Sequence, residues 1–317
     1  MFNKENVGNQ NIFNYQWGLV MSGGGAKGSY QAGALKALFE CGITNNIIAA
    51  SGTSIGSINM CLLSQGDSEL GNKLWKKVKP IDMIEVTPEL IDGKEGFSSR
   101  SGLIKILKNN IDFSKMRKSF VDYYATVSQY ISQEDTNPTA KYIKIDEEND
   151  DDLINILLAS SALPIVYEPV KMDGYIYKDG GLTDNVPIKV LYEKGIRNFI
   201  VMLLSHNKKI NIDKYPGAKF IIIKPSKDLG NTIDGTLNFD KNQINFRYKL
   251  GYADAVRTLK YYDTEISRSP SFEMMWDSLV YDDYNSIQTE MMIEKGEKNF
   301  NSKKNKIDEI LSKYGIE

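Results

Sequence analysis

The sequence predicts an α/β protein: a central, mainly parallel sheet flanked by helices, followed by a helical C-terminal extension. Two observations carry this. Two strand–turn–helix units follow one another near the start, from Phe13 to Cys41 and from Asn45 to Gln65. Two more apolar runs of strand length, "RNFIVMLL" and "AKFIIIKP", come after a helical segment in the second half. Apolar strands alternating with helices are the pattern of a parallel sheet covered on both faces.

Taken in order, residues 1–12 read as a polar, Asn-rich arm. Phe13, Tyr15, Trp17, Leu19 and Met21 alternate, which predicts a strand over 13–21 that ends at a run of glycines. From Ser29 the period lengthens: Tyr30, Gly33/Ala34, Ala37/Leu38 and Cys41 recur at helical spacing, and Gly42 stops the helix. "NNIIAAS" is a second strand, "GTSIG" a second turn and "SINMCLLSQ" a second helix. In the middle third, "SGLIKILKNNI" reads as a helix. "FVDYYATVSQY" and "AKYIKI" read as strands joined by the polar loop "SQEDTNPT". "NDDDLINILLASSA" is a helix whose acidic first turn suits the helix dipole. "YEPVKMDGYIYKDGG" is a hairpin ending in a glycine turn, and "VPIKVLYEKG" is the helix before the last two strands. From Asn238 the pattern is helical to the end, with Ile307, Ile310, Leu311 and Tyr314 at i, i+3, i+4, i+7 spacing. The chain thus divides into an arm over 1–12, one α/β domain over 13–235, and a helical extension over 236–317 packing on it.

Bulk properties exclude several classes. A formal net charge of −2 lacks the basic footprint that nucleic acid requires. The clusters "NKLWKKVK", "SKMRKS" and "NSKKNK" read as solvated faces, an anionic lipid surface being the alternative. Two cysteines, Cys41 and Cys61, and one histidine supply neither a disulfide framework nor a metal-ligand set. The N-terminus has no apolar signal core, and the longest apolar runs fall far short of the roughly 20 residues that a spanning helix needs. A cytoplasmic protein, or one exported without a cleavable signal, is expected.

Two glycine turns carry the chemistry. The first contains G-x-G-x-x-G as Gly23, Gly25 and Gly28. A dinucleotide site would also need an acidic residue closing the second strand, but that strand ends in Ser51 and Gly52, which weighs against a cofactor. In that place stands G-x-S-x-G, with Ser54 between Gly52 and Gly56 on a strand-to-helix turn, the context in which a nucleophilic serine is presented. Consecutive parallel strands would set both turns side by side at the carboxyl edge of the sheet. The amides of Gly23–Gly28, at the mouth of a helix, would then face the developing oxyanion of an ester attacked by Ser54.

A serine hydroxyl needs a base. His206 in "LLSHNKK" would give a Ser–acid–His triad, although it opens a polar, lysine-bearing loop. Asp179 in "YKDGGLTDNVP" is the other candidate, although D-G turns are common loop signals. The residues by themselves leave both open.

In combination, "GGGAKG", "GTSIG" and "DGG", in that order, resemble the signature of the patatin-like phospholipases, in a bacterial-type member. "ASSALPIVYEPV" and "DNVPIKVLYEKG", with Asn185 and Pro187, also resemble the family, and the resemblance runs from about Trp17 to about Pro225. It implies a three-layer α/β/α fold and a Ser54–Asp179 dyad with no histidine. It further implies an oxyanion loop of Gly23, Gly24, Gly25, Ala26, Lys27 and Gly28, with Gly52, Gly56, Gly180 and Gly181 supporting the turns. Lys27 is a candidate extra positive charge. The implied activity is cofactor-free cleavage of fatty-acyl esters of phospholipids, lysophospholipids or galactolipids, with transient contact at a membrane surface. Leu163, Ile165, Val166, Tyr167 and the helix Ile58–Leu63 are candidates to line an acyl groove.

Overall fold

The computed structural model describes residues 12–79, 83, 85–86, 98–164 and 166–262. The chain opens with β1 (Trp17–Met21), α1 (Gly28–Glu40), β2 (Ile47–Thr53), α2 (Ile55–Gln65) and α3 (Leu70–Lys77). A two-stranded ribbon, β3 (Glu85–Val86) and β4 (Ser98–Ser99), precedes α4 (Ser101–Asn110), α5 (Phe113–Arg117), β5 (Asp122–Tyr130) and β6 (Thr139–Lys144). Then come α6 (Asp150–Ser160), β7 (Val170–Met172), β8 (Tyr175–Asp179), α7 (Ile188–Glu193), β9 (Asn198–Met202), β10 (Lys219–Ile223) and α8 (Lys241–Tyr262).

Five strands run parallel in the order β10–β9–β1–β2–β5, while β6, β7 and β8 add antiparallel pairs at the β5 side. Alternation along the central strands sends their side chains to two apolar layers. Leu19, Met21, Ala50 and Met202 pack with α1, α2 and α8, whereas Val20, Ala49, Phe199 and Val201 pack with α7. The result is the expected layered α/β/α arrangement.

Two elements depart from the sequence pattern. The first strand begins at Trp17 rather than at 13, because Ile12–Asn14 form a single 3-10 turn. The indole of Trp17 donates to Ile12 O at 2.8 Å and Asn46 Nδ2 donates to Phe13 O at 2.8 Å, so tertiary contacts take the chain out of the alternation. The helical tail begins at Lys241, after a π turn over Thr232–Thr236. The remainder of that predicted tail, Ile307–Tyr314 included, lies outside the described residues.

Helix α8 crosses α1 at van der Waals contact through two glycines. A Cβ on Gly33 would sit 1.9 Å from Tyr248 O, and one on Gly251 would sit 1.9 Å from Tyr30 O. Neither carbonyl can retreat without separating the helices. Gly33→Ala is therefore expected to destabilise the fold by about 1–3 kcal/mol or more, read as a fall in the denaturant midpoint. A midpoint equal to the parent's would show that this crossing is looser than described.

The site depends on how β5 is shared. Residues 124–126 of β5 pair with β2 and β6 together, and residues 127–129 pair with β6 and β8 together. A strand has only two edges, so β2 and β8 occupy the same edge of β5, end to end. Thr53 faces Thr126 and Asp179 faces Val127. Two strands running in opposite directions thus meet at their C-terminal ends.

Candidate active site

Beyond Thr53 the chain turns sharply into α2, and Ser54 takes φ 55° and ψ −127°, a conformation rarely adopted by a residue with a side chain. The turn requires glycine on both sides. A Cβ on Gly52 would lie 2.5 Å from the Gly56 carbonyl, and one on Gly56 would lie 2.2 Å from Met21 O. The Ser54 amide donates to Ser160 Oγ at 2.9 Å, and Ser57 Oγ donates to Ser54 O at 2.6 Å. Together these bonds hold the strained residue in place.

At the end of β8, Ser54 Oγ donates to Asp179 Oδ2 at 2.7 Å, and the Gly181 amide donates to Oδ1 at 2.7 Å. The Asp179 backbone is fixed as well, its N–H donating to Ala162 O and its carbonyl accepting from Ser128 Oγ. Only 5% of Asp179 is exposed. Burial pushes its pKa up to about 6, against the opposing pull of the hydrogen bonds from Ser54 and Gly181 and of the Arg100 charge. Arg100 itself donates to the carbonyls of Leu158 and Glu168 and lies over the Tyr167 ring, 5.1 Å from its centroid.

The first glycine turn stands beside the elbow, since Met21 of β1 is in register with Gly52 of β2. The six amides expected to form one ring are not equivalent. Gly23 N–H is taken by Asn185 O and Lys27 N–H by Gly24 O, and Gly28 N–H bonds back to Gly25 and Ala26. Among the described residues the N–H groups of Gly24, Gly25 and Ala26 are left without an acceptor. Lys27 does not add its charge to them as a free cation. Its Nζ donates to Gly230 O at 3.3 Å, and burial together with Arg247 lowers its pKa. Below the loop, Trp75 Nε1 donates to Asn59 Oδ1, Asn59 Nδ2 donates to Gln31 Oε1, and Gln31 Nε2 donates to Ser22 O. This buried relay ties α1, α2 and α3 to the turn.

A cavity of about 350 Å³ opens over the pair. Gly23, Gly24, Gly25 and Asn185 form its polar side, and Ile55, Ile58, Met83, Leu103, Leu163 and Tyr167 its apolar side. Leu182, half exposed, also lines it, as do Thr236, Leu237 and Phe239. Of the expected groove residues, Leu163, Tyr167 and Ile58 reach the cavity. Val166 is buried away from it, and Ile165 lies outside the described residues. His206 is not part of the wall. Its Nδ1 lies 3.6 Å from Asp228 Oδ1 on a surface loop. Sequence reasoning missed Arg100, Gln31 and Asn59, which sit in no recognisable motif. Ser160 was visible only as a letter of "ASSALP".

Fold and site define an α/β protein with an elbow serine hydrogen-bonded to a buried strand-end aspartate, beside a glycine-rich turn. The sequence model of the patatin-like phospholipase family matches residues 19–192, and the chain belongs to that family. Patatin-like phospholipase domain-containing protein 7 of Rattus norvegicus is 27% identical over 205 residues, 63% of this chain and 14% of its own length. Lysophospholipase NTE1 of Cryptococcus neoformans is 28% identical over 200 residues, 59% of this chain and 11% of its own. This chain therefore spans a small part of each of these two relatives. VipD from Legionella pneumophila superposes with a TM-score of 0.48 at 16% identity, over 78% of this chain and 67% of that one.

Proposed function

We propose that this chain is a lipid acyl hydrolase of the phospholipase A or lysophospholipase type, working through Ser54 and Asp179. The observation that carries the proposal is the 2.7 Å hydrogen bond from the strained elbow serine to a carboxylate almost sealed from solvent. As Ser54 Oγ attacks the ester carbonyl carbon, its proton passes to Asp179. The carbonyl oxygen becomes an oxyanion facing the amides of Gly24, Gly25 and Ala26, which have no acceptor among the described residues. Collapse breaks the ester C–O bond, and the departing alkoxide takes the proton from Asp179. Water then attacks the acyl-serine with Asp179 again as base, releasing fatty acid and restoring Ser54. A carboxylate with a pKa near 6 is a stronger base than an ordinary aspartate, and an ester's alcohol leaves more readily than an amine.

The two other readings find less support. A Ser–Asp–His triad would need His206 at the serine, where Asp179 already accepts its hydrogen bond. A dinucleotide would need an acid closing β2, where the elbow stands instead. Lipid as substrate is supported by the family and by the apolar half of the cavity. Among the described residues no helix is long and apolar enough to cross a membrane, and the half-exposed Leu182 at the cavity fits transient contact with a lipid surface.

Mass spectrometry of products from mixed phospholipids tests the proposal. Free fatty acid should be released by the parent and by His206→Ala at rates within about threefold of each other. A His206→Ala loss on the order of 10³-fold would instead establish the triad.

A further inference from the structure

One short stretch of chain holds both the elbow serine and the strand-end aspartate. Ser160, in the last turn of α6, accepts from the Ser54 amide through Oγ at 2.9 Å, and Ala162 O accepts from the Asp179 amide at 2.9 Å. A tilt of this stretch would therefore alter the distance between hydroxyl and carboxylate. Between α6 and β7 its described residues form neither helix nor strand, so no ladder fixes them. Arg100 supplies a tie. Its own carbonyl accepts from Ile104 N–H at 3.0 Å at the start of α4, which anchors the root of the side chain. The guanidinium donates to Leu158 O, ahead of Ser160, and to Glu168 O, beyond Ala162, closing the stretch into a loop. It also lies over the ring of Tyr167, whose hydroxyl donates to Met83 O. A planar fork directs two N–H groups at two carbonyls at once, a rigidity that an ammonium lacks. Leu163 and Tyr167 of the loop face the cavity, while Arg100 stays out of its wall.

We infer that Arg100 is a positioning residue for the ester cleavage: its guanidinium clasps residues 158–168 so that Ser54 and Asp179 stay within hydrogen-bonding distance, and its charge favours the ionised carboxylate. The inference rests on the Ser54–Asp179 reading above and adds the group that keeps the pair assembled. The charge acts against burial, lowering the pKa of Asp179. The other groups packed on Asp179 carry no charge: Ser54 from the elbow, Val127 and Ser128 from β5, Ala162 after α6, and Gly181 on its own turn. Tyr167 and Glu168 are the other titratable groups that face the guanidinium. Fork and charge are separable, since lysine keeps the second without the first.

The test is kcat together with the pH profile of kcat/KM for p-nitrophenyl butanoate, measured on the full chain with Ser54→Ala as blank. Arg100→Lys is expected to lose about tenfold or more in plateau kcat while keeping the parent's acid limb. Arg100→Met loses fork and charge, and is expected to fall as far with its acid limb displaced to higher pH. Ser160→Ala removes one hydroxyl from the clasped loop and is expected to lower kcat with the limb in place. It keeps the proposal falsifiable if neither Arg100 variant folds. Parent-level kcat in a folded Arg100 variant or in Ser160→Ala, or a fall in the denaturant midpoint alone, would overturn the clasp. An unmoved limb in Arg100→Met would overturn the role of the charge. Both results leave the Ser54–Asp179 reading intact, whereas a parent without Ser54-dependent release would overturn that reading and the clasp with it.

Discussion

Asp179→Asn is expected to lower kcat by about 10³–10⁴-fold while leaving KM and the fold nearly unchanged. An amide of the same shape fills the space, yet it cannot take the proton of Ser54. Its NH₂ group also has to face one of the two donors, Ser54 Oγ–H or Gly181 N–H, that the carboxylate accepts together. The parent's pH profile should carry the same signature. The base works only when ionised, so activity should rise as the pH passes through about 6 and then level, a step that the variant should lack.

Stability should respond with the opposite sign. The folded pKa lies above the unfolded value of 3.8, so the folded state holds the proton more tightly. The contribution of Asp179 to stability is thus fully present below pH 3.8 and is lost as the pH rises through about 6. Over that window the shift corresponds to about 3 kcal/mol, a pH-dependent loss that the variant, whose amide does not titrate there, escapes. The thermal midpoint of Asp179→Asn should accordingly gain on that of the parent as the pH rises from 3.8 to about 6, with no further gain above that. Full activity in this variant, or a parent profile flat across the window, would remove Asp179 from the chemistry.

Ser54→Ala is expected to cost about 10⁴-fold or more in kcat, because both the nucleophile and the covalent intermediate disappear. It should fold as well as the parent, since Ala keeps the Cβ and hence the strain at φ 55°. Ser54→Gly separates the two properties. It should be equally inactive yet more stable by about 1 kcal/mol, because glycine adopts positive φ without the side-chain penalty. A fluorophosphonate probe should label the parent and neither variant. Labelling of Ser54→Ala would place the reactive hydroxyl elsewhere, and a Ser54→Gly protein no more stable than Ser54→Ala would show the elbow to be unstrained.

Much of this was legible because the relevant signals are local. The switch from period 2 to period 3.6 across "GGGAKG" and across "GTSIG" specifies strand, turn and helix within about 25 residues, and both units occur as expected. The serine, its flanking glycines and the hairpin that ends at Asp179 are read from the same short range, and the structure turns that hairpin at Asp173 and Gly174, both with positive φ. Where the local signal misled, a distant partner had intervened: the alternation over 13–21 lost its first residues to contacts with Trp17 and Asn46.

By itself the sequence determined which bends the backbone makes, and that a hydroxyl, a carboxylate and a row of glycine amides sit on them. Tertiary structure alone decided how those bends meet. Asp179 rather than His206 stands at Ser54 because β8 docks on the edge of β5 that β2 vacates after Thr53, which brings partners 125 positions apart in the chain to 2.7 Å. Among the described residues the Gly23 amide is engaged by Asn185, reaching it from the far side of the chain, whereas those of Lys27 and Gly28 are engaged locally within the turn. The reason is physical: a dihedral preference belongs to a residue and its neighbours, whereas strand pairing and enclosed space belong to surfaces that exist only once the chain has folded.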